Sequence, residues 1–258
     1  MVMKKEPKFG ICIICAKNEE LHYKSHIYPK FIYRNGIFGE NNRNDSFILT
    51  TQGITERETT YDAPYEEYKY CKKCENYFGK LENYSAKILN DTILNSQPFK
   101  SQTEIALDTH SQHVTKYYQI DYNMFKKFVL SLLLRASKSQ HKYFSTLKLY
   151  NKERKIKKII FSDTPSKDYE YPMVINRLTS GSITPFILQP YVHRYSTEDM
   201  IFLYLRDYLI WIFMINKKSQ IYYDFNQFLL KEDGTLPVPN VDDSFIRNFI
   251  EQTRLKVE

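Results

Sequence analysis

The sequence predicts an α+β protein, and three features carry that expectation. The only four cysteines fall as two C-x2-C pairs toward the N-terminus, Cys12/Cys15 and Cys71/Cys74. Residues 121–136 repeat apolar side chains at helical spacing, and beyond residue 166 the apolar residues gather into short runs divided by turn formers. The expected organisation is a cysteine-stapled module over residues 1–95, a basic helical region over 96–164, and an α+β region of mixed or antiparallel strands with a closing helix over 165–258.

The two cysteine pairs are separated by 55 residues. Four thiolates at that spacing suit one tetrahedral Zn2+, because each pair sits on a tight turn that aims both sulfurs at a single ion. Two disulfides are the competing arrangement, and they need an oxidising compartment. Residues 1–8 are charged and the apolar run after them is too short for a secretory signal, so a cytoplasmic location and a structural zinc are expected. Nothing approaches an 18-residue apolar span, so no membrane partner is expected; the longest run, residues 208–215, reads as a buried strand or short helix.

Along the chain, residues 9–16 read as a short strand entering the first cysteine turn. Residues 21–25 follow as extended chain with His26 at their end, and Pro29 opens a short helix, a first-turn position that suits proline. Residues 35–65 are polar and rich in Gly and Asn, which predicts a loop or irregular hairpin. A helix is expected from about Cys74 to residue 90, with Phe78, Leu81, Ser85 and Ile88 on one face and Glu75 and Glu82 sharing another. Residues 99–113 are Ser/Thr/Gln-rich and read as a linker. Asp121 opens a strong amphipathic helix, and a second helix is expected over 143–159. Runs at 173–178, 183–188, 202–215 and 221–229 read as strands or buried segments, and a closing helix is expected over 245–255.

The charge is unevenly distributed. Residues 1–95 hold 14 Lys/Arg against 13 Asp/Glu and residues 165–258 hold 10 against 12, but residues 96–164 hold 13 against 5. Between residues 126 and 158 there are eleven cations and a single acid, Glu153. That excess exceeds what solubility needs and points to a polyanionic partner, nucleic acid, with Lys126, Lys127, Lys138, Lys142, Lys152 and Lys155 as candidate phosphate contacts. Arg135 lies within the apolar stripe of its helix and has a second reading as a buried structural arginine.

The order Cys12-x-x-Cys15, Ser25-His26-Ile27-Tyr28-Pro29 and Cys71-x-x-Cys74-Glu75 resembles the HNH endonucleases and their ββα-metal module, over about residues 9–95. It is also similar to HNH-like proteins of bacterial defence loci. The resemblance implies a structural zinc on the cysteines, His26 as general base for hydrolysis of the phosphodiester bonds of DNA, and a second, catalytic cation such as Mg2+ or Mn2+. A histidine near neutral pKa suits proton abstraction from water, and a hard cation suits the charge that develops on phosphate. Glu75 falls where the family places a His or Asn ligand, and Glu82, two turns on, is a further candidate. Ser25 stands where the family usually has an Asp ligand, and Tyr65-Glu66-Glu67-Tyr68 occupies the region of an expected Asn.

Two readings follow: a metal-dependent nuclease, acting with an activating protein or as a homo-oligomer, and a catalytically degenerate zinc-finger protein that binds nucleic acid or serves as an adaptor. His26 and Glu75 favour the first, Ser25 and the missing Asn the second.

Overall fold

The structure, a computed structural model, describes residues 8–32, 47–50, 53–55, 64–89, 106–107, 113–178, 186–188, 190–195, 198–205 and 207–241. It is a mixed α+β protein with four α-helices and one large sheet among those residues. The N-terminal third holds β1 (Lys8–Ile11), β2 (Asn18–Leu21), β3 (Lys24–His26), β4 (Phe47–Thr50), β5 (Gly53–Thr55), β6 (Tyr65–Glu67) and α1 (Lys72–Leu89). β1 and β2 form one antiparallel hairpin and β3 pairs antiparallel with β6, His26 opposite Tyr65. The expected face of α1 is the buried one, with Phe78, Leu81, Ser85 and Ile88 all inside.

After β7 (Ala106–Leu107) and β8 (His113–Tyr117) comes α2 (Tyr122–Lys138), the centre of the molecule. Nearly all its residues are buried, because it packs against α1, against α3 (Glu153–Phe161) and over the sheet. It starts at Asp121 as expected, and the Asp121 carboxylate caps its first turn, accepting from the Met124 N–H at 2.9 Å. Asp121→Ala is therefore expected to cost about 1 kcal/mol, seen as a melting temperature lower by about 2–4 °C, while Asp121→Asn, which keeps a cap acceptor, stays near wild type.

The large sheet runs β11 (Tyr191–Tyr195), β12 (Glu198–Leu205), β13 (Tyr208–Phe213), β9 (Met173–Leu178), β14 (Leu236–Val241), β8, β7. All pairings are antiparallel except β14 with β9. A small second sheet joins β10 (Phe186–Leu188) in parallel to the β4–β5 hairpin. Period-two alternation sends Ile175, Ile201, Leu203, Ile210 and Ile212 to the helical side and Val174, Met200, Phe202, Leu209 and Phe213 to the other, where α4 (Gln220–Asp224) and the turn after it cover them. Both faces are covered, which is why these strands read as nearly unbroken apolar runs.

Several expectations need correction. Residues 143–159 are not one helix: Tyr150 adopts a left-handed φ of 44° and α3 starts only at Glu153. The buried anchors Tyr143, Phe144, Leu147 and Leu149 do not share a helical face, and the Leu149 N–H donates to Ser137 Oγ, so tertiary packing bends the segment. The stretch read as a linker contributes β7 and ends at the start of β8. Residues 221–229, read as a strand or a buried segment, form a short helix and a 3-10 turn with Ile221, Tyr222 and Leu229 buried. The expected closing helix lies outside the described residues.

Candidate metal centre and the polar cluster beside it

The metal centre is assembled by two turns of different kinds. The first is the loop of the β1–β2 hairpin, where the Cys12 N–H donates to the Lys17 carbonyl at 2.9 Å and the Ala16 N–H to the Cys12 carbonyl at 2.8 Å. Ala16 takes a left-handed φ of 60°, which closes the turn beneath Cys15. The second is the start of α1: the Cys71 carbonyl accepts the first helical bond, from Glu75 N–H at 3.0 Å, and Cys74 sits one turn in. The Ile13 N–H donates to the Lys69 carbonyl at 3.0 Å and locks the two turns together.

The four sulfurs lie within 4.8 Å of one another, with Cys12–Cys74 at 3.9 Å and Cys15–Cys71 at 3.8 Å. Four thiolates about 2.3 Å from a central zinc would stand about 3.8 Å apart along the edges of the tetrahedron. The Cys71 N–H donates to Cys12 Sγ at 3.3 Å. The facing Cys74 thiol, with the main-chain N–H groups of Cys15, Cys71 and Ile14, holds the Cys12 thiol below its ordinary range despite burial. Three of the four cysteines are buried and Cys15 is half-buried. The cysteines thus form a group suited to holding a metal such as zinc, and among the described residues no second group of three or more Cys, His, Asp or Glu ligands is gathered.

Beside this centre α1, α2 and β3 enclose a polar cluster. The Arg135 side chain, about 1 % exposed, crosses from α2 to donate to Glu82 Oε1 at 2.7 Å and to the His26 carbonyl at 3.1 Å, with its guanidinium over the Phe78 ring at 4.9 Å. Glu66 of β6 accepts from Ser139 Oγ at 2.7 Å and from Gln140 N–H at 2.8 Å, tying the C-terminal end of α2 to the β3–β6 pair. His26 is half-buried, its ring 6.2 Å from that of Tyr65. Glu75 Oε1 and Ser25 Oγ are buried with no hydrogen-bond partner among the described residues. Burial raises the Glu75 carboxyl pKa most; the nearby Ser25 hydroxyl, Arg135 and His22 pull it down, and Glu82 pushes it up.

These placements bear differently on the proposed ligands of a catalytic cation. Glu75 fits as one ligand of a Mg2+ or Mn2+ site of the kind that substrate phosphates and waters complete, because it has a buried carboxyl oxygen to satisfy. Glu82 has one carboxylate oxygen, Oε1, already held by Arg135 at 2.7 Å, which leaves only the other for a cation.

The lysines divide as well. Lys126 and Lys127 do not form a solvent-facing phosphate surface: both are buried, Lys126 Nζ donating to the Tyr122 hydroxyl and the Lys167 carbonyl at 2.7 Å each and Lys127 Nζ to the Ser162 carbonyl. Burial drives the Lys126 pKa down to about 7. Lys138, Lys152 and Lys155 are ion-paired with Glu153, Asp199 and Glu170. The Lys142 side chain lies outside the described residues. The cations that sequence reasoning did not single out are Arg154, Lys157 and Lys158 of α3, which face Lys73 across a groove beside Cys15 and Cys74. Their signal was present in the i, i+3, i+4 spacing, but the groove itself needs three chain segments to exist.

Compared with protein-family models, with curated proteins and with solved structures, the chain matches none. What fold and site define is a mixed α+β protein with a four-cysteine centre joined through a buried arginine to the helices behind it.

Proposed function

We propose that this protein is a metal-dependent phosphodiester hydrolase of the HNH kind, acting on nucleic acid with His26 as general base. The observation that carries the reading is the order β3, β6, α1: His26 closes the first strand, opposite Tyr65 of the second, and the helix that follows begins in the cysteine centre with Cys74 and Glu75 in its first turn. The cysteine centre acts as a staple and the Arg135 bond to the His26 carbonyl fixes the main chain from which the imidazole extends. In the reaction His26 takes a proton from water as its oxygen bonds to phosphorus, and the phosphorus–oxygen bond to the departing strand breaks, its oxygen leaving with the electron pair and taking a proton from solvent water. A bound divalent cation would neutralise charge on the phosphate, with Glu75 as the residue that fits it. A role in bacterial anti-phage defence, in the cytoplasm, belongs to this proposal through the sequence resemblance alone.

The second reading, a zinc-stapled module that binds nucleic acid without cutting it, draws on two observations. Ser25 is a poor substitute for a carboxylate ligand, and Glu82 is engaged by Arg135. Supercoiled plasmid incubated with the zinc-loaded protein and Mg2+ or Mn2+ separates the two. Nicking that falls by about a hundredfold or more in His26→Ala at equal zinc content is the expected result. Equal cleavage by both proteins, or none by either, removes the nuclease reading as stated.

A further inference from the structure

We infer that the groove between the cysteine centre and α3 is a binding site for single-stranded nucleic acid; this deepens the reading above by assigning the form of its substrate. The groove has a volume of about 670 Å3 and its defining residues are Lys73 and Tyr77 of α1 and Arg154, Lys157, Lys158 and Phe161 of α3. Lys17 adds a further cation at the first cysteine turn, and Glu19 is the one carboxylate on the wall. That volume is in the range of ligand sites.

The sequence of α3 builds this wall. Arg154, Lys157, Lys158 and Phe161 recur at i, i+3, i+4 and i+7, which is one face of a helix, while Ile156, Ile159 and Ile160 are buried on the opposite side. Other cations around α3 are ion-paired with the protein's own carboxylates at its surface: Lys155 meets Glu170 at 2.8 Å, Lys138 meets Glu153 at 2.8 Å and Lys152 stands 3.8 Å from Asp199. Among the described residues none of the five groove cations has a carboxylate partner. Positive charge is thus concentrated around the groove, most of it on the α3 wall, and left for an outside anion.

The floor decides which anion. Phe161 ends its helix about 39 % exposed, and its ring lies 5.2 Å from that of Tyr77 at 32°. The Tyr77 hydroxyl donates to the Ile160 carbonyl, which fixes that ring in place. An open aromatic floor with cations at the rim suits unpaired bases that stack while their phosphates meet Lys and Arg. A duplex keeps its bases stacked inside and presents phosphates alone, and an acidic peptide has no flat rings to lay on Phe161.

The test measures fluorescence anisotropy of a labelled single strand of about 12 nucleotides and of the matching duplex. It uses the zinc-loaded His26→Ala protein without added divalent cation, so that cleavage plays no part. The single strand is expected to bind at least about tenfold more tightly than the duplex. Phe161→Ala should weaken single-strand binding by about 5- to 100-fold, Phe161→Trp should preserve it, and Lys157→Gln with Lys158→Gln should weaken it and flatten its salt dependence. Zinc content and near-ultraviolet circular dichroism show that the variants are folded. Equal affinity for duplex, equal displacement by polyglutamate, or full binding by the folded Phe161→Ala and Lys157→Gln/Lys158→Gln proteins overturns the inference. Groove-dependent binding by a wild-type protein that never cleaves leaves this site standing and removes the hydrolase; cleavage of single strands that ignores every groove variant does the reverse.

Discussion

Cys71→Ser is expected to strip the metal from the protein and unfold the N-terminal third. Cys71 does three things at once: it supplies one of four clustered thiols, its N–H donates to Cys12 Sγ, and its carbonyl accepts the first bond of α1. The backbone roles survive the substitution, so the variant isolates the thiolate. The strands around the centre are only three or four residues long, and Phe9 and Ile11 of β1 are largely exposed, so little apolar burial holds that hairpin without the ion. Metal binding in small cysteine sites is worth roughly 10–16 kcal/mol, an amount that exceeds what such short elements gain from packing. The measurement is zinc per chain together with thermal unfolding, and chelator treatment of the wild type should reproduce the variant. One zinc per chain and an unchanged transition in Cys71→Ser would show that the cysteines do not form the staple.

The second large effect is expected at Arg135. Its guanidinium is buried, bonded to Glu82 and to the His26 carbonyl, and stacked over Phe78. Arg135→Met leaves the Glu82 carboxylate without its partner in a site that is mostly closed to water, so a loss of about 3–5 kcal/mol is expected. Glu82→Leu should destabilise to a similar extent, because it strands the guanidinium. The double variant should recover much of the loss, since two apolar side chains of similar bulk leave no charge behind. Arg135→Lys should not rescue, because an ammonium has neither the flat face that lies over Phe78 nor the fork that serves two acceptors. Urea unfolding of the four proteins gives the cycle directly, and strictly additive losses would mean that the pair is not coupled.

Residues 12–15, 26, 71–75 and 121–136 could be placed from sequence because their signals are local. A C-x2-C spacing, a proline three residues past a histidine, an Asp ahead of an apolar helix and a helical apolar stripe each fix structure within a turn or two. The failures share the opposite property. β14 contains Pro237 and Pro239, which argue against a strand; the structure tolerates them because its parallel pairing with β9 is confined to Asn240 and Val241, beyond both prolines. β8 is polar and short; it is held as a strand between β7 and β14, and the longer of those pairings, with β14, comes more than a hundred residues later. Lys126 and Lys127 sit among apolar neighbours in sequence as in space, and the carbonyls of Lys167 and Ser162 that receive them lie 41 and 35 residues further on. The groove cations were counted correctly as an excess, yet which of them are spent on internal carboxylates depends on Glu170 and Asp199, whose positions are set by the fold.

Arg135 also bears on how the chain can be divided. The cysteine-stapled segment is not self-contained, because its floor is not its own. A fragment ending after α1 would leave Glu82 and the His26 carbonyl facing the space where a guanidinium from α2 belongs, and would strip Glu66 of its partners at Ser139 and Gln140. One hydrophobic cluster runs from Cys12 through α2 to Val238 of the sheet. Grafting the N-terminal third onto another scaffold would therefore have to carry α2 with it, and the smallest transferable unit is set by where one arginine is rooted.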